Sequence, residues 1–210
     1  MRGTFARALA EFTRIVIGLD PSGLPVAPTR RKMLWPPPHR VVIDLSAPGG
    51  EWIDARAAAA QQIIHGAEMP LLAAHMDWSM ANALFIDEGH ISAILDWDSL
   101  MRASEAEMVG RAAALFTAGS PWGTQVPSRD EASAFVDEYQ SARGRSFDAI
   151  EQRVLNASAD YALAQVGRHG HSGPECPDDE YRRTLRETAS TPLVSFSGSS
   201  PRPIAGQTRR

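Results

Sequence analysis

The residues of this chain that could do chemistry fall in one stretch, His75-Met76-Asp77-Trp78-Ser79-Met80-Ala81-Asn82, followed nineteen positions after Asp77 by Asp96-Trp97-Asp98. Between them, Ala83 to Ile86 and His90 to Leu95 are short apolar runs around Asp87-Glu88-Gly89. This is the pattern of a hairpin with a three-residue loop and a left-handed glycine. If the hairpin turns about Glu88, Asn82 lies opposite residue 94. Asp96 is then two residues further along, a displacement of about 6.6 Å at 3.3 Å per residue, so one cation can touch both. Side chains alternate across a strand, so Asp96 and Asp98 share a face and Trp97 points to the other side, into the helices. Asp77 enters the first strand from a loop, in reach of the proton of a bound hydroxyl. A carboxylate base, an amide and a second carboxylate around one hard cation is what phosphoryl transfer requires. Magnesium takes oxygen ligands and bridges nucleotide phosphates while the base orients the attacking hydroxyl.

Each residue also has a plainer reading. An isolated Asp or Asn in a loop more often caps a turn or bridges strands than does chemistry. Asp98 reads equally as a second metal-facing or solvent-facing carboxylate and as a cap of the following segment. His75 reads as a hydrogen-bonded histidine that supports the loop. A cage of His75, Asp77, Asp96 and Asp98 holding a metal for hydrolysis is a further alternative, in which Asn82 and the hairpin spacing are coincidence. His169, His171, Cys176, Asp178 and Asp179 invite a zinc site, but their spacing fits no standard four-ligand pattern.

The elements that must position these residues are mostly helical. Phe5, Leu9, Phe12 and Val16 recur at helical spacing, which predicts an amphipathic helix over 4–17 stopped by Gly18 and Pro21. Six prolines and one glycine between Asp20 and His39, with Arg30-Arg31-Lys32, predict an ordered connector whose basic run is solvated. Val41-Val42-Ile43 reads as a short strand, and 51–65 as a helix burying Trp52, Ala59 and Ile63. Ser104-x-x-Glu107 and Ser128-x-x-Glu131 are capping boxes that open helices of about 104–118 and 128–143. Ile150, Val154, Ala157 and Tyr161 give a stripe over 146–167, and Asp178 to Glu187 a last short helix. Residues 188–210 are rich in Ser, Pro, Gly, Thr and Arg and are expected to be disordered.

The chain has 210 residues, 43% of them hydrophobic, enough to bury a core. A formal charge of -4 excludes a general field for gripping nucleic acid or an anionic membrane. No apolar stretch approaches the roughly 20 residues of a membrane helix. Without a secretory signal pattern, and with one cysteine, Cys176, the expected location is the cytoplasm. Of 21 basic residues only Lys32 is a lysine, and no glycine pattern cradles phosphates.

His75-Met76-Asp77 to Asn82, with Leu95-Asp96-Trp97-Asp98, resembles the aminoglycoside phosphotransferase and choline kinase group of small-molecule kinases. Their motifs read H-G-D-x-x-x-x-N and I-D-W/F-D/E, and Asp followed five positions later by Asn is the catalytic-loop spacing of protein kinases. The resemblance is specific over roughly 70–118, and the flanking helices extend it to most of 1–187. It implies an α+β, mainly helical C-terminal lobe of a protein kinase-like fold with a short catalytic β-hairpin. It further implies ATP- and magnesium-dependent phosphoryl transfer to a hydroxyl of a small molecule. By resemblance Asp77 is the catalytic base, Asn82 and Asp96 are magnesium ligands, and His75 and Asp98 are supporting residues; no nucleotide-binding residue is indicated. Met76 replaces the usual glycine and Trp78-Ser79-Met80-Ala81 the usual residues after the base, which alters loop shape or the acceptor pocket. The family's N-terminal lobe, with its phosphate-covering loop and lysine, has no counterpart here, Lys32 lying among prolines. The alternative expectation is therefore a non-catalytic remnant that self-associates through the face left by the missing lobe.

Overall fold

The computed structural model describes residues 1–37, 44–87, 89–119, 126–171 and 180–196. The fold is α+β and mainly helical. Helix α1 (Arg2–Val16) forms because Phe5, Leu9, Phe12 and Val16 build one apolar stripe, and all four are buried, in part against α4 (Arg129–Arg143). Helix α2 (Glu51–His65) and α3 (Glu105–Leu115) pack on the 23-residue α5 (Ala149–His171), which also carries the short α6 (Glu180–Glu187). The approach of α3 to α5 is close: a Cβ on Gly110 would lie 2.1 Å from the Leu155 carbonyl oxygen.

Two small antiparallel sheets carry the site. Strand β1 (Leu72–His75) pairs with β4 (Leu100–Ala103), His75 opposite Leu100, and β2 (Ala83–Asp87) pairs with β3 (His90–Ile94). The connector is ordered across its described part. Val26 bridges Arg102 of β4, Thr29 and Arg30 bond the carboxylate of Glu107, and Tyr161 donates to the Leu34 carbonyl oxygen at 2.5 Å. Arg30 is therefore not solvated: it pairs at 2.6 Å with Glu107, whose side chain is fully buried.

Both capping boxes form, at Ser104/Glu107 and Ser128/Glu131. In α2 the buried stripe is Ile53, Ala57, Ala60 and Ile64, whereas Ala59 and Ile63 are exposed and Trp52 is half-buried beneath Arg186. An alanine-rich run offers little polar contrast, so the inward face was ambiguous in the sequence. In α5 Ile150 is exposed while Val154, Ala157 and Tyr161 are buried. Order also runs past residue 187. Thr188, Leu193 and Val194 are buried, and the Asn156 side chain bonds both the carbonyl and the amide of Val194. The expected strand at 41–43, together with Cys176, Asp178, Asp179 and residues 197–210, lies outside the described residues. No helix among those described is long and apolar enough to cross a membrane.

Candidate functional site

Asp77 leaves the end of β1 and is held from three sides. The Asn82 amide nitrogen donates to its carboxylate (2.7 Å) and to its carbonyl oxygen (2.9 Å). The Asp77 backbone N–H donates to His75 Nδ1 at 3.3 Å, so Nδ1 is unprotonated and Nε2 carries the proton that it donates to the Leu95 carbonyl oxygen at 3.0 Å. From α3, Arg111 Nε donates to the Met76 carbonyl oxygen and Nη1 to Gln165 Oε1 of α5 at 2.9 Å. Burial pulls the Arg111 guanidinium below its ordinary value and the charge of Asp77 works against that shift.

His75 is a support of the loop, 1% exposed and ringed by Phe12, Trp78 and Trp97 at centroid distances of 6.5, 5.6 and 5.5 Å. It ties the Asp77 loop to the strand end that leads into Asp96. Trp78 packs on Phe5 and Phe12, and its buried indole N–H has no hydrogen-bond partner among the described residues. The outer side of the loop rests on the end of α3: Met80 and Ala81 amides donate to the carbonyls of Phe116 and Ala118. Gly119 adopts φ +75°, and a Cβ there would lie 2.6 Å from that of Ala81. Only glycine meets both demands.

The hairpin register differs by one residue from the expected one. Ala83 pairs with Ile94, Asp87 pairs with His90, and the Leu95 amide donates to the Asn82 carbonyl at 2.8 Å. Asn82 is thus opposite Leu95 rather than residue 94. Asp87 belongs to the strand, and the turn conformation involves Glu88, which lies outside the described residues. The β period also ends earlier than expected. Asp96 has left-handed angles (φ 61°, ψ 48°) and opens a 3-10 turn over Trp97–Ser99, with Ser99 Oγ donating to Asp96 Oδ2 at 2.6 Å. Asp96 and Asp98 are therefore not paired by strand alternation. Trp97 is 49% exposed, and its ring meets Phe12 and His75. Asp98 is exposed and makes no hydrogen bond among the described residues, so it caps nothing there. Asp96 is the one non-glycine residue with positive φ among those described, a conformation that concentrates at functional sites.

Asp77, Asn82 and the residue before Asp96 are thus joined by direct bonds. Both acceptors facing the Asn82 nitrogen can only accept, so its Oδ1 is turned away from Asp77 and is left as an oxygen donor for a hard cation. Asn82 Oδ1 and the Asp96 carboxylate are hard oxygen donors of the type magnesium takes, one or two from the protein with the rest of its shell from phosphates and water. The His75/Asp77/Asp96/Asp98 cage is not formed: both His75 nitrogens are engaged. Among the described residues no group of three or more His, Cys, Asp or Glu side chains can hold a metal ion. Arg111 was not singled out in the sequence; a lone charge in the apolar run Val109 to Leu115 was the signal for it. Large clefts lie elsewhere, about 680 Å³ between α2 and α5 and about 710 Å³ beneath residues 188–196. Neither is lined by a candidate site residue. Comparisons with family models, curated proteins and solved structures found no match to this chain.

Proposed function

We propose that this chain transfers a phosphoryl group from ATP to a hydroxyl of a small molecule. The observation that carries the reading is the hydrogen bond from the Asn82 amide to the Asp77 carboxylate, because it orients a base and a cation ligand with one contact. Asp77 Oδ2 is occupied by Asn82, leaving Oδ1 to accept the hydrogen bond, and then the proton, of the acceptor hydroxyl. Asn82 Oδ1 and Asp96 hold the cation side. His75 and Arg111 hold the two polar groups of the Met76–Asp77 peptide that leads into the base, so the cost of positioning is met in folding rather than in the reaction. Magnesium, when bound with the nucleotide, neutralises charge that builds on the transferred group. A kinase-like C-terminal lobe is the architecture this reading implies. The remaining phosphate contacts belong to a separate N-terminal lobe, since Lys32 is exposed in the connector. Calorimetric titration of ATP with magnesium into the purified chain tests it. Binding that Asp96→Asn removes is the expected result, and no binding by the folded chain overturns it.

A second reading is favoured by the apolar face beside the site, where Leu84, Ile86, Leu95 and Trp97 are 51, 75, 39 and 49% exposed. In it the chain is non-catalytic and this face meets a second copy. Concentration-dependent self-association in sedimentation, abolished by Ile86→Glu and accompanied by no nucleotide binding, is its signature.

A further inference from the structure

Asp96 is gripped on both sides by the strand end that leads into Asp77. On one side His75 Nε2 donates to the Leu95 carbonyl oxygen at 3.0 Å, and on the other the Met76 amide donates to the Ser99 carbonyl oxygen at 3.1 Å. These bonds, from two consecutive residues, fix the ends of the 95–99 turn. They act on its backbone and leave the direction of the Asp96 carboxylate to other contacts. Ser99 supplies one. Its amide donates to the Asp96 carbonyl oxygen at 3.0 Å, which closes the turn, and its Oγ donates to Asp96 Oδ2 at 2.6 Å. A hydroxyl-to-carboxylate bond of that length is of the short, charge-assisted kind, stronger than a neutral one.

The carboxylate it holds is exposed, as is that of Asp98 in the same turn, which is bonded to no described residue. An exposed carboxylate with no fixed partner samples several rotamers, and a cation that binds it must meet the cost of choosing one. The Ser99 hydroxyl meets that cost at Asp96 in folding. Partners that orient a ligating carboxylate are worth about 10 to 100-fold in metal affinity. Ser99 also faces the base: its side chain holds the cation ligand while its own carbonyl holds Met76, the residue before Asp77.

Resting on the phosphotransfer reading, we infer that Ser99 is a positioning residue of this site, whose hydroxyl aims the Asp96 carboxylate at the divalent cation while its backbone ties that carboxylate to the Asp77 loop.

The test uses Mn²⁺ alone, which takes the same carboxylate, carbonyl and water oxygens as magnesium and broadens nearby NMR signals. It is titrated into the ¹⁵N-labelled full chain for wild type, Ser99→Ala, Ser99→Thr, Ser99→Cys, Asp96→Asn and Asp98→Asn. Wild type is expected to lose the amide signals of Asn82 and 95–99 first, and Asp96→Asn to abolish this. Ser99→Ala should weaken Mn²⁺ by about tenfold or more, with its urea midpoint near that of wild type because both backbone bonds remain. Ser99→Thr, which keeps the hydroxyl, should stay within about twofold, and Ser99→Cys, a weak donor, should fall between and decides the matter if the alanine variant does not fold. A merely structural hydroxyl would move the urea midpoint and leave Mn²⁺ affinity unchanged. That result overturns the inference, as do a threonine variant as weak as alanine, loss of binding on Asp98→Asn in place of Asp96→Asn, or no broadening around Asp96 in wild type. The magnesium–ATP titration separates the two ideas. Ser99-dependent Mn²⁺ binding without nucleotide binding removes the phosphotransfer reading and leaves Ser99 as the orienting partner of a cation site, whereas nucleotide binding lost in Asp96→Asn but unchanged in Ser99→Ala does the reverse.

Discussion

Asp77 and Asn82 act as one unit, and the geometry says how a conservative change should fail. Asparagine at 77 keeps the bond from the Asn82 nitrogen only by turning its own oxygen to it. Its amide nitrogen then faces the acceptor, where a donor cannot take a proton. On the phosphotransfer reading, Asp77→Asn should lower turnover of ATP with an alcohol acceptor by about 10² to 10⁴-fold, the usual worth of a positioned base. Asp98→Asn should change it little, because Asp98 is exposed and bonded to no described residue. A coupled assay of ADP release compares the two, and equal losses would remove the distinction. Asp96→Asn is a clean probe for a related reason: Asn tolerates left-handed angles at least as well as Asp, so the substitution removes charge without straining the backbone at φ 61°. Asp77, Asn82, His75 and Asp96 stood out as candidates in the sequence because their types and spacing are informative within a few residues. Arg111 was not, since its partners Met76 and Gln165 are 35 and 54 positions away.

At the level of elements, two capping boxes that read alike in sequence stand in different surroundings. Glu131 is on the surface and serves Ser128 alone; Glu107 is fully buried and also receives Thr29 and Arg30 from the connector. Removing Glu107 therefore leaves Arg30 without its charge partner and frees the connector from α3. Glu107→Ala should cost about 3–5 kcal/mol, as breaking a buried ion pair does, against roughly 0.5–1 kcal/mol for Glu131→Ala. Urea unfolding of both variants checks this, and equal losses would show that only the caps matter. The caps, the stripe of α1 and the hairpin were legible because each is a local pattern. The pairing of β1 with β4 was not: Leu72–His75 and Leu100–Ala103 are four residues each, with no β-branched residue and no alternation, and they meet only through the folded chain. The inward face of α2 was hidden for the complementary reason, since α5 rather than α2 decides which alanines are covered. The segment 188–196 was misjudged by composition, because two apolar residues, Leu193 and Val194, with one asparagine clamp are enough to seat it.

For the whole molecule, two buried tyrosines join elements distant in sequence and make stability depend on alkaline pH. Tyr139 of α4 donates to Glu105 at the start of α3 at 2.8 Å, with Thr13 of α1 at 3.0 Å, and Tyr161 of α5 holds the connector. Burial, reinforced by the Glu105 charge, raises the Tyr139 hydroxyl far above its ordinary 10.0. Burial pushes Tyr161 up to about 12, with Arg111 and Arg31 opposing. A raised value means that the unfolded chain releases these protons first, starting near pH 10, while the folded chain keeps them. Their contribution is thus complete below pH 10 and is lost as pH rises. Each tyrosine should remove about 1.4 kcal/mol per pH unit while only the unfolded form ionises, on the order of 2–3 kcal/mol from Tyr161 by pH 12. Urea midpoints at pH 8, 10 and 11.5 for wild type and Tyr161→Phe give the comparison. Tyr161→Phe should be less stable than wild type at pH 8 by about 1 kcal/mol for the lost bond to Leu34, and should close that gap as pH rises. Parallel curves would mean that Tyr161 titrates alike in both states, and the connector would then not be sealed over α5.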